Sequence, residues 1–270
     1  MNTSFADIEK KENRKDLIIS ICVFLSGFSC FTQLYYFQPL LPDLAKDFIL
    51  SASESSFAIS FSTLGMVFGL FTTMFVADRI PRKKMIGTGL LSSSIFSVAA
   101  SFSPTFLPLI LLSAAKGFLL SGATSVSMAY IAEEVSSRNK GKIMGLYIAG
   151  NALGGMAGRV ISSWIGALYT WRIASVSIGL ICALFAILFL LFSPRSTNFM
   201  PRKESFHTLI IANLQLITSK ALIPFYLTGG LILGVFVSLY NYLGFYLTKA
   251  PFNFPEHYIH YIYLMYIFGI

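Results

Sequence analysis

Lys116 and Arg159 are cations set inside long apolar stretches of this 270-residue chain. At the centre of a membrane-spanning helix such a charge costs at least about 2.5–3.5 kcal/mol, so it persists only with a counter-charge, a wet cavity or a side chain that reaches the interface. The first two conditions would make each residue a holder of an anionic substrate group or of a carboxylate from another helix. The third would make it a bystander, which suits Arg159 better than Lys116. Gln33, Asn151 and Asn241 are amides expected to share a substrate or coupling cavity with the two cations. A second constellation fills a polar break, Asp78-Arg79-Ile80-Pro81-Arg82-Lys83-Lys84, and Glu133 and Glu134 follow a later apolar stretch. Its chemistry is ion pairing. A third consists of Gly150, Gly154 and Gly158, with Gly155 beside them; the repeated G-x-x-x-G spacing gives a smooth face that another helix backbone can approach closely. Gly65 and Gly69 make a similar face and are the expected contact.

Other chemistries lack their parts. Cys22, Cys30 and Cys182 lie in apolar segments without a C-x-x-C pair and read as small buried hydrophobes. His257 and His260 share a helical face at i, i+3, but no third ligand stands near them, so a membrane-interface position is expected and a metal is not. There is no G-x-x-x-x-G-K-[ST] loop and no nucleophile–base arrangement, so neither a cofactor nor enzymatic activity is expected. The net charge of +8 does not mark a nucleic-acid binder, because the basic residues cluster between apolar runs.

The elements that must position these residues belong in a lipid bilayer. Hydrophobic residues make up 55% of the chain and charged residues 12%, against roughly a quarter charged in soluble domains. Continuous apolar runs, without the alternation of barrel strands, predict helices over about 17–38, 54–77, 84–102, 105–131, 141–169, 171–193 and 221–248. An eighth begins near Tyr258. The first run has no small-residue cleavage site and is expected to be retained. Fifteen of the 20 lysines and arginines fall on one side of these spans, against Lys46, Arg172 and Lys249 on the other, which predicts a cytoplasmic N-terminus. The expected layout is a cytoplasmic tail over 1–16, a six-helix bundle over 17–193, a cytoplasmic linker over 194–220 and a partial second bundle over 221–270. Residues 206–218 of the linker have helical spacing that suits the inner interface. From Tyr258 to Ile270 is too short to cross, so the chain is expected to be cut short in its eighth helix.

The loop Asp78-Arg79-x-x-Arg82-Lys83-Lys84 after the second span resembles the G-x-x-x-D-R-x-G-R-[KR]-[KR] signature of the major facilitator superfamily, with Met74 and Pro81 where glycine is usual. Gly150-Asn151-x-x-Gly154-Gly155 in the fifth span is similar to that superfamily's antiporter signature G-P-x-x-G-G, with Asn151 in place of proline. Gln38-Pro39-Leu40-Leu41-Pro42, Trp171-Arg172 and Tyr240-Asn241-Tyr242 also resemble its drug and sugar efflux branches. The resemblance implies an all-α integral membrane fold: a complete N-terminal six-helix bundle of two inverted three-helix repeats, plus about one and a half helices of the second bundle. It implies a secondary active transporter of the cell (inner) membrane that exports small molecules such as drugs or sugars by proton-coupled antiport and alternating access. A facilitator or importer, or an inactive half-transporter acting as an interaction partner, are the alternatives. In the family Asp78, Arg79, Arg82 and Lys83 would latch the two bundles on the cytoplasmic side, Arg82 pairing with Glu133 or Glu134. Asp78 would face a helix N-terminus of the second bundle, and is expected to lack that partner here. The family's fourth-helix arginine position corresponds to Ser113, for which Lys116, one turn on, is expected to substitute. Partners are a small-molecule substrate, a coupling proton and the bilayer.

Overall fold

The computed structural model of the chain describes residues 5–201, 206–255 and 259–264, and every element among them is helical. Arg202, Lys203, His257, Tyr258 and Ile270 lie outside the described residues.

Helix α1, Phe5–Tyr35, starts well before the expected span at residue 17. The added turns are built largely from Glu, Lys and Arg, good helix formers, with no Gly or Pro to interrupt them. The chain then bends through a 3-10 turn at Gln38–Leu40 into the short helix α2, Leu41–Phe48, whose Pro42 sits in the first turn where no N–H is needed. Ile49 closes α2 in the left-handed region at φ 55°, and Ser51 and Glu54 form a capping box for α3, Ala52–Ser55. Helices α4 (Phe57–Val76), α5 (Arg82–Ser101), α6 (Phe106–Glu134), α7 (Lys140–Leu168) and α8 (Trp171–Phe192) complete the bundle. Pro81 biases Ile80 to extended backbone and so separates the 3-10 turn Ala77–Arg79 from α5. Beyond it lie α9 (Phe206–Ile217), α10 (Ile223–Thr248) and α11 (Ile259–Leu264).

Among the described residues, five stretches are long and apolar enough to cross a membrane: Glu9–Phe48, Ala52–Arg79, Phe106–Glu134, Trp171–Phe192 and Ile223–Thr248. Helices α5 and α7, counted as spans from the sequence, have spanning length at 20 and 29 residues but fall short in apolar content. The reason is their burial: α5 packs on α1, α6 and α8, and α7 packs chiefly on α1 and α8, so small and polar residues replace lipid-facing ones. Ser93, Ser94 and Ser97 of α5 are fully buried, and Ser93 and Ser94 both donate to the Leu90 carbonyl of the same helix.

Two glycine seams hold the bundle. Gly150, Gly154 and Gly158 of α7 face the backbone of Phe24, Phe28 and Thr32 on α1, so tightly that a Cβ at any of them would overlap it. Thr32 Oγ1 donates to the Gly154 carbonyl at 2.9 Å across this seam. Gly65 and Gly69 do not meet the α7 face as the spacing predicts. They pack on α6 instead, against Ala114 and Phe118, and Gly117 of α6 answers against Ser62. The seams are equivalent under exchange of the first three spans with the second three, since α1 against α7 maps onto α6 against α4. In each case small residues let backbones meet where lipid supplies no hydrophobic drive.

The core divides into two apolar clusters. One, including Ile19, Val23, Leu90, Tyr130 and Phe189, lies toward the end bearing Arg82 and Glu133. The other, including Tyr36, Leu41, Ile59, Leu109 and Trp171, lies toward the opposite end. Gln33 on α1, Ser97 on α5 and Ser113 and Lys116 on α6 fall between them in sequence, forming a polar middle. Helix α10 touches the bundle mainly at the bend before α2 and at α2 itself, and much of its surface, including Leu231, Ile232 and Val235, is exposed.

Candidate functional site

Arg159 is 1% exposed, about five residues past the middle of α7. Its Nε donates to Gln38 Oε1 and its Nη1 to the Gly155 carbonyl at 2.6 Å. Its guanidinium lies over three rings, Tyr35 at 4.4 Å, Tyr240 at 5.0 Å and Phe236 at 5.3 Å, the last two on α10. Gln38 in turn donates from Nε2 to Asn241 Oδ1 on α10 at 2.8 Å. The bundle and α10 are thus joined by a polar relay, Arg159–Gln38–Asn241, under an aromatic cover, and Gly244 of α10 rests on Pro42 beside it.

Tyr35 and Asn241 also line a cavity of about 610 Å³ between α3, α4 and α10. Its walls carry hydroxyls from Ser53, Ser56, Ser60, Thr63 and Ser238, apolar surface from Leu233 and Val237, and, among the described residues, no charged side chain. A cavity this size suits a small molecule, with a few polar groups to orient it.

Lys116 is also 1% exposed but has a different shell. Its Nζ sits 4.5 Å from the Tyr36 ring centre and 4.9 Å from that of Phe37, and has no hydrogen-bond partner among the described residues. Tyr36 shares a 2.9 Å hydrogen bond with Ser175, Ser175 donates to the Ser97 carbonyl, and Ser97 donates to Gln33 Oε1 at 3.2 Å. Gln33 and Lys116 therefore flank one serine-threaded chain, while Arg159 and Asn241 belong to another. Asn151 joins neither: its Oδ1 is packed against Gly27 on α1 and has no hydrogen-bond partner among the described residues. The five expected cavity residues thus fall into two clusters and one outlier. Gln38 and Tyr36, which the expected set lacked, sit at the joints. A glutamine beside proline in an otherwise apolar run was the available signal for Gln38, and Tyr36 had none.

The charged loop forms a separate cluster at the far end. Arg82 is buried and donates to Glu133 from both Nε and Nη2, at 3.1 and 3.0 Å, to Asp78 at 2.9 Å and to the Ala77 carbonyl at 2.6 Å. Asp78 was expected to lack a partner and pairs with Arg82 one turn away, because the Pro81 turn brings the guanidinium back over it. Glu133 takes Arg82; Glu134 takes Lys15 at 2.8 Å, Thr197 and the Asn198 N–H. Lys83 donates to the Ser193 carbonyl and Arg79 is exposed. Asp16, buried at 4%, accepts from Ser136 and Asn139 and ties α1 to the start of α7. At the opposite end Trp171 and Arg172 both donate to Asp47 at 2.9 Å.

A sequence model of the Major Facilitator Superfamily matches residues 20–270. The chain belongs to the major facilitator superfamily. An uncharacterized transporter of Buchnera aphidicola subsp. Schizaphis graminum is 34% identical over 263 residues, covering 97% of this chain and 64% of that protein. The inner membrane transport protein YnfM of Escherichia coli K12 is 34% identical over 252 residues, covering 93% and 60%. The crystal structure of a bacterial homolog of the human lysosomal transporter Spinster, inward-facing and unoccupied, superimposes with a TM-score of 0.75 at 14% identity, over 91% of this chain and 58% of that one. That likeness shows the fold. The chain spans under two thirds of the length of each of these relatives. It is a membrane-embedded superfamily chain, and its relatives are named as transporters, not enzymes.

Proposed function

We propose that the chain forms the first bundle and the start of the second in a secondary active transporter of the inner membrane that exports small molecules, such as drugs or sugars, by proton-coupled antiport. The observation that carries this reading is the relay Arg159–Gln38–Asn241, which joins the bundle to α10 beside a hydroxyl-walled cavity. Alternating access needs two bundles that rock about a midplane site, and a hydrogen-bonded joint at one end of that site is where such rocking would pivot or part. In this reading Asp78, Arg79, Arg82, Lys83, Glu133 and Glu134 gate the cytoplasmic end. The N-terminus is cytoplasmic, on the charge asymmetry. Cysteines at 82 and 140 then resist an impermeant thiol reagent in intact cells, and one at 105 reacts; labelling at 82 from outside would reverse the orientation.

Everted vesicles carrying an acid-inside gradient test the transport step. Arabinose as a sugar and chloramphenicol as an uncharged drug are added in turn, with acridine orange reporting the gradient and labelled compound reporting uptake. Antiport predicts that a compound taken up also dissipates the gradient. Uptake that leaves the gradient unchanged, and proceeds equally without it, makes the protein a facilitator.

A further inference from the structure

We infer that Gln38 sets the hydrogen-bonding polarity of the cavity, so that Asn241 presents its amide N–H to the ligand and the site takes small molecules bearing an oxygen acceptor, neutral or anionic, in preference to cations. This rests on reading the cavity beside Asn241 as the substrate site.

The argument is one of donors and acceptors. A guanidinium only donates, so the atom of Gln38 that meets Arg159 Nε has to be its carbonyl oxygen. That fixes the orientation of the Gln38 amide, which an isolated glutamine leaves open. Its NH2 group then points the other way, to Asn241, and the atom that receives it has to be Asn241 Oδ1. With its oxygen occupied, Asn241 turns Nδ2 to the cavity it lines. One buried cation thus dictates, through two amides, which pole the cavity wall shows.

The surroundings act in the same direction. Among the described residues no charged side chain lines the cavity, so a cationic ligand finds no counter-ion in its wall there. Arg159 stands behind that wall, its guanidinium 4.4 Å from the ring of the lining residue Tyr35. The approach of a second positive charge is unfavourable there, and that of a carboxylate or a partial negative oxygen is favourable. Ser56 and Thr63 give their hydroxyl protons to the Ser53 and Ile59 carbonyls and turn only lone pairs to a ligand, while Ser53, Ser60 and Ser238 can donate or accept. Asn241 is the lining residue whose hydrogen-bond partner fixes it as a donor.

Thermal-shift measurements on the purified protein test this with a panel of metabolite-sized compounds in three equal classes: carboxylates, uncharged polyols and amides, and primary amines. Stabilising compounds are expected from the first two classes, with affinity falling about tenfold or more in Asn241→Leu, the loss of one ligand hydrogen bond with its partner left unpaired. Gln38→Glu is the decisive variant. The new carboxylate still accepts from Arg159 but can only accept from Asn241, which must flip and show its oxygen to the cavity. The preference should then move toward amines while the protein stays folded. The inference is overturned if amines stabilise the wild type as well as carboxylates do, if no acceptor-bearing compound stabilises it, if Asn241→Leu leaves the shifts intact, or if Gln38→Glu leaves the ranking unchanged. Failure of the transport reading is separate: a vesicle result showing no proton coupling leaves these binding outcomes as they are.

Discussion

Arg159 and Lys116 are equally buried, yet their surroundings differ in kind. Arg159 has a carbonyl from its own helix, an amide from the α1–α2 bend and rings from two parts of the molecule, so it is tied to α10 as well as to the bundle. Lys116 has two ring faces from consecutive residues, Tyr36 and Phe37, and no acceptor among the described residues. Aromatic faces recover about 2 kcal/mol of a desolvated cation's cost, which leaves an ammonium under-served. A cation hydrogen-bonded to acceptors on two elements suits an architectural joint, whereas one held by ring faces alone suits the binding of a further group.

Removing the joint should do the most. Arg159→Leu strips Gln38 of its donor and α10 of its link to the bundle, a loss of about 1.5–3 kcal/mol for the charged hydrogen bonds alone. Cysteines replacing Pro42 and Gly244, in contact in the folded protein, should then cross-link markedly less than in the parent, and the proposed transport should cease. Arg159→Lys should not restore the cross-link, because an ammonium lacks the planar fork that serves Gln38 and Gly155 together. An intact cross-link in Arg159→Leu would place the joint elsewhere.

Lys116 should give the opposite pattern. Lys116→Met should abolish the proposed transport but leave insertion, abundance and the 42/244 cross-link as in the parent, and Lys116→Arg should keep part of the activity because the charge survives. Normal flux in Lys116→Met would reduce the residue to a bystander and erase the contrast with Arg159. Smaller effects are expected at the charged end. Glu133→Gln leaves Arg82 a neutral acceptor and a remaining carboxylate, Asp78, and should cost about 1–2 kcal/mol in thermal stability. Glu134→Gln should loosen residues 197–198, read as new protease cleavage there, because Thr197 and the Asn198 N–H both depend on it. The smallest effect belongs to Arg138→Ala. Its pair with Glu9 is exposed on both sides, so a change in melting temperature outside experimental error would contradict the low worth of surface pairs.

The sequence by itself determined the membrane class, the family and nearly every helix of the bundle, because apolar runs of spanning length and a charged Asp-Arg loop leave little else for the chain to form. It also marked Lys116 and Arg159, since a charge inside an apolar span is costly unless something compensates it. Which partner each found was decided only by tertiary structure. The G-x-x-x-G spacing announced a close helix contact, but the face it would meet depended on how α1, α4, α6 and α7 are arranged, and Gly65 went to α6. Glu133 and Glu134 are adjacent and chemically alike, yet 100° of helix rotation sends one to Arg82 and the other to Lys15. The sequence showed Gln38 beside a proline but not its partners, because a lone amide acquires an orientation only when a buried guanidinium from a distant helix fixes which end of it must face inward.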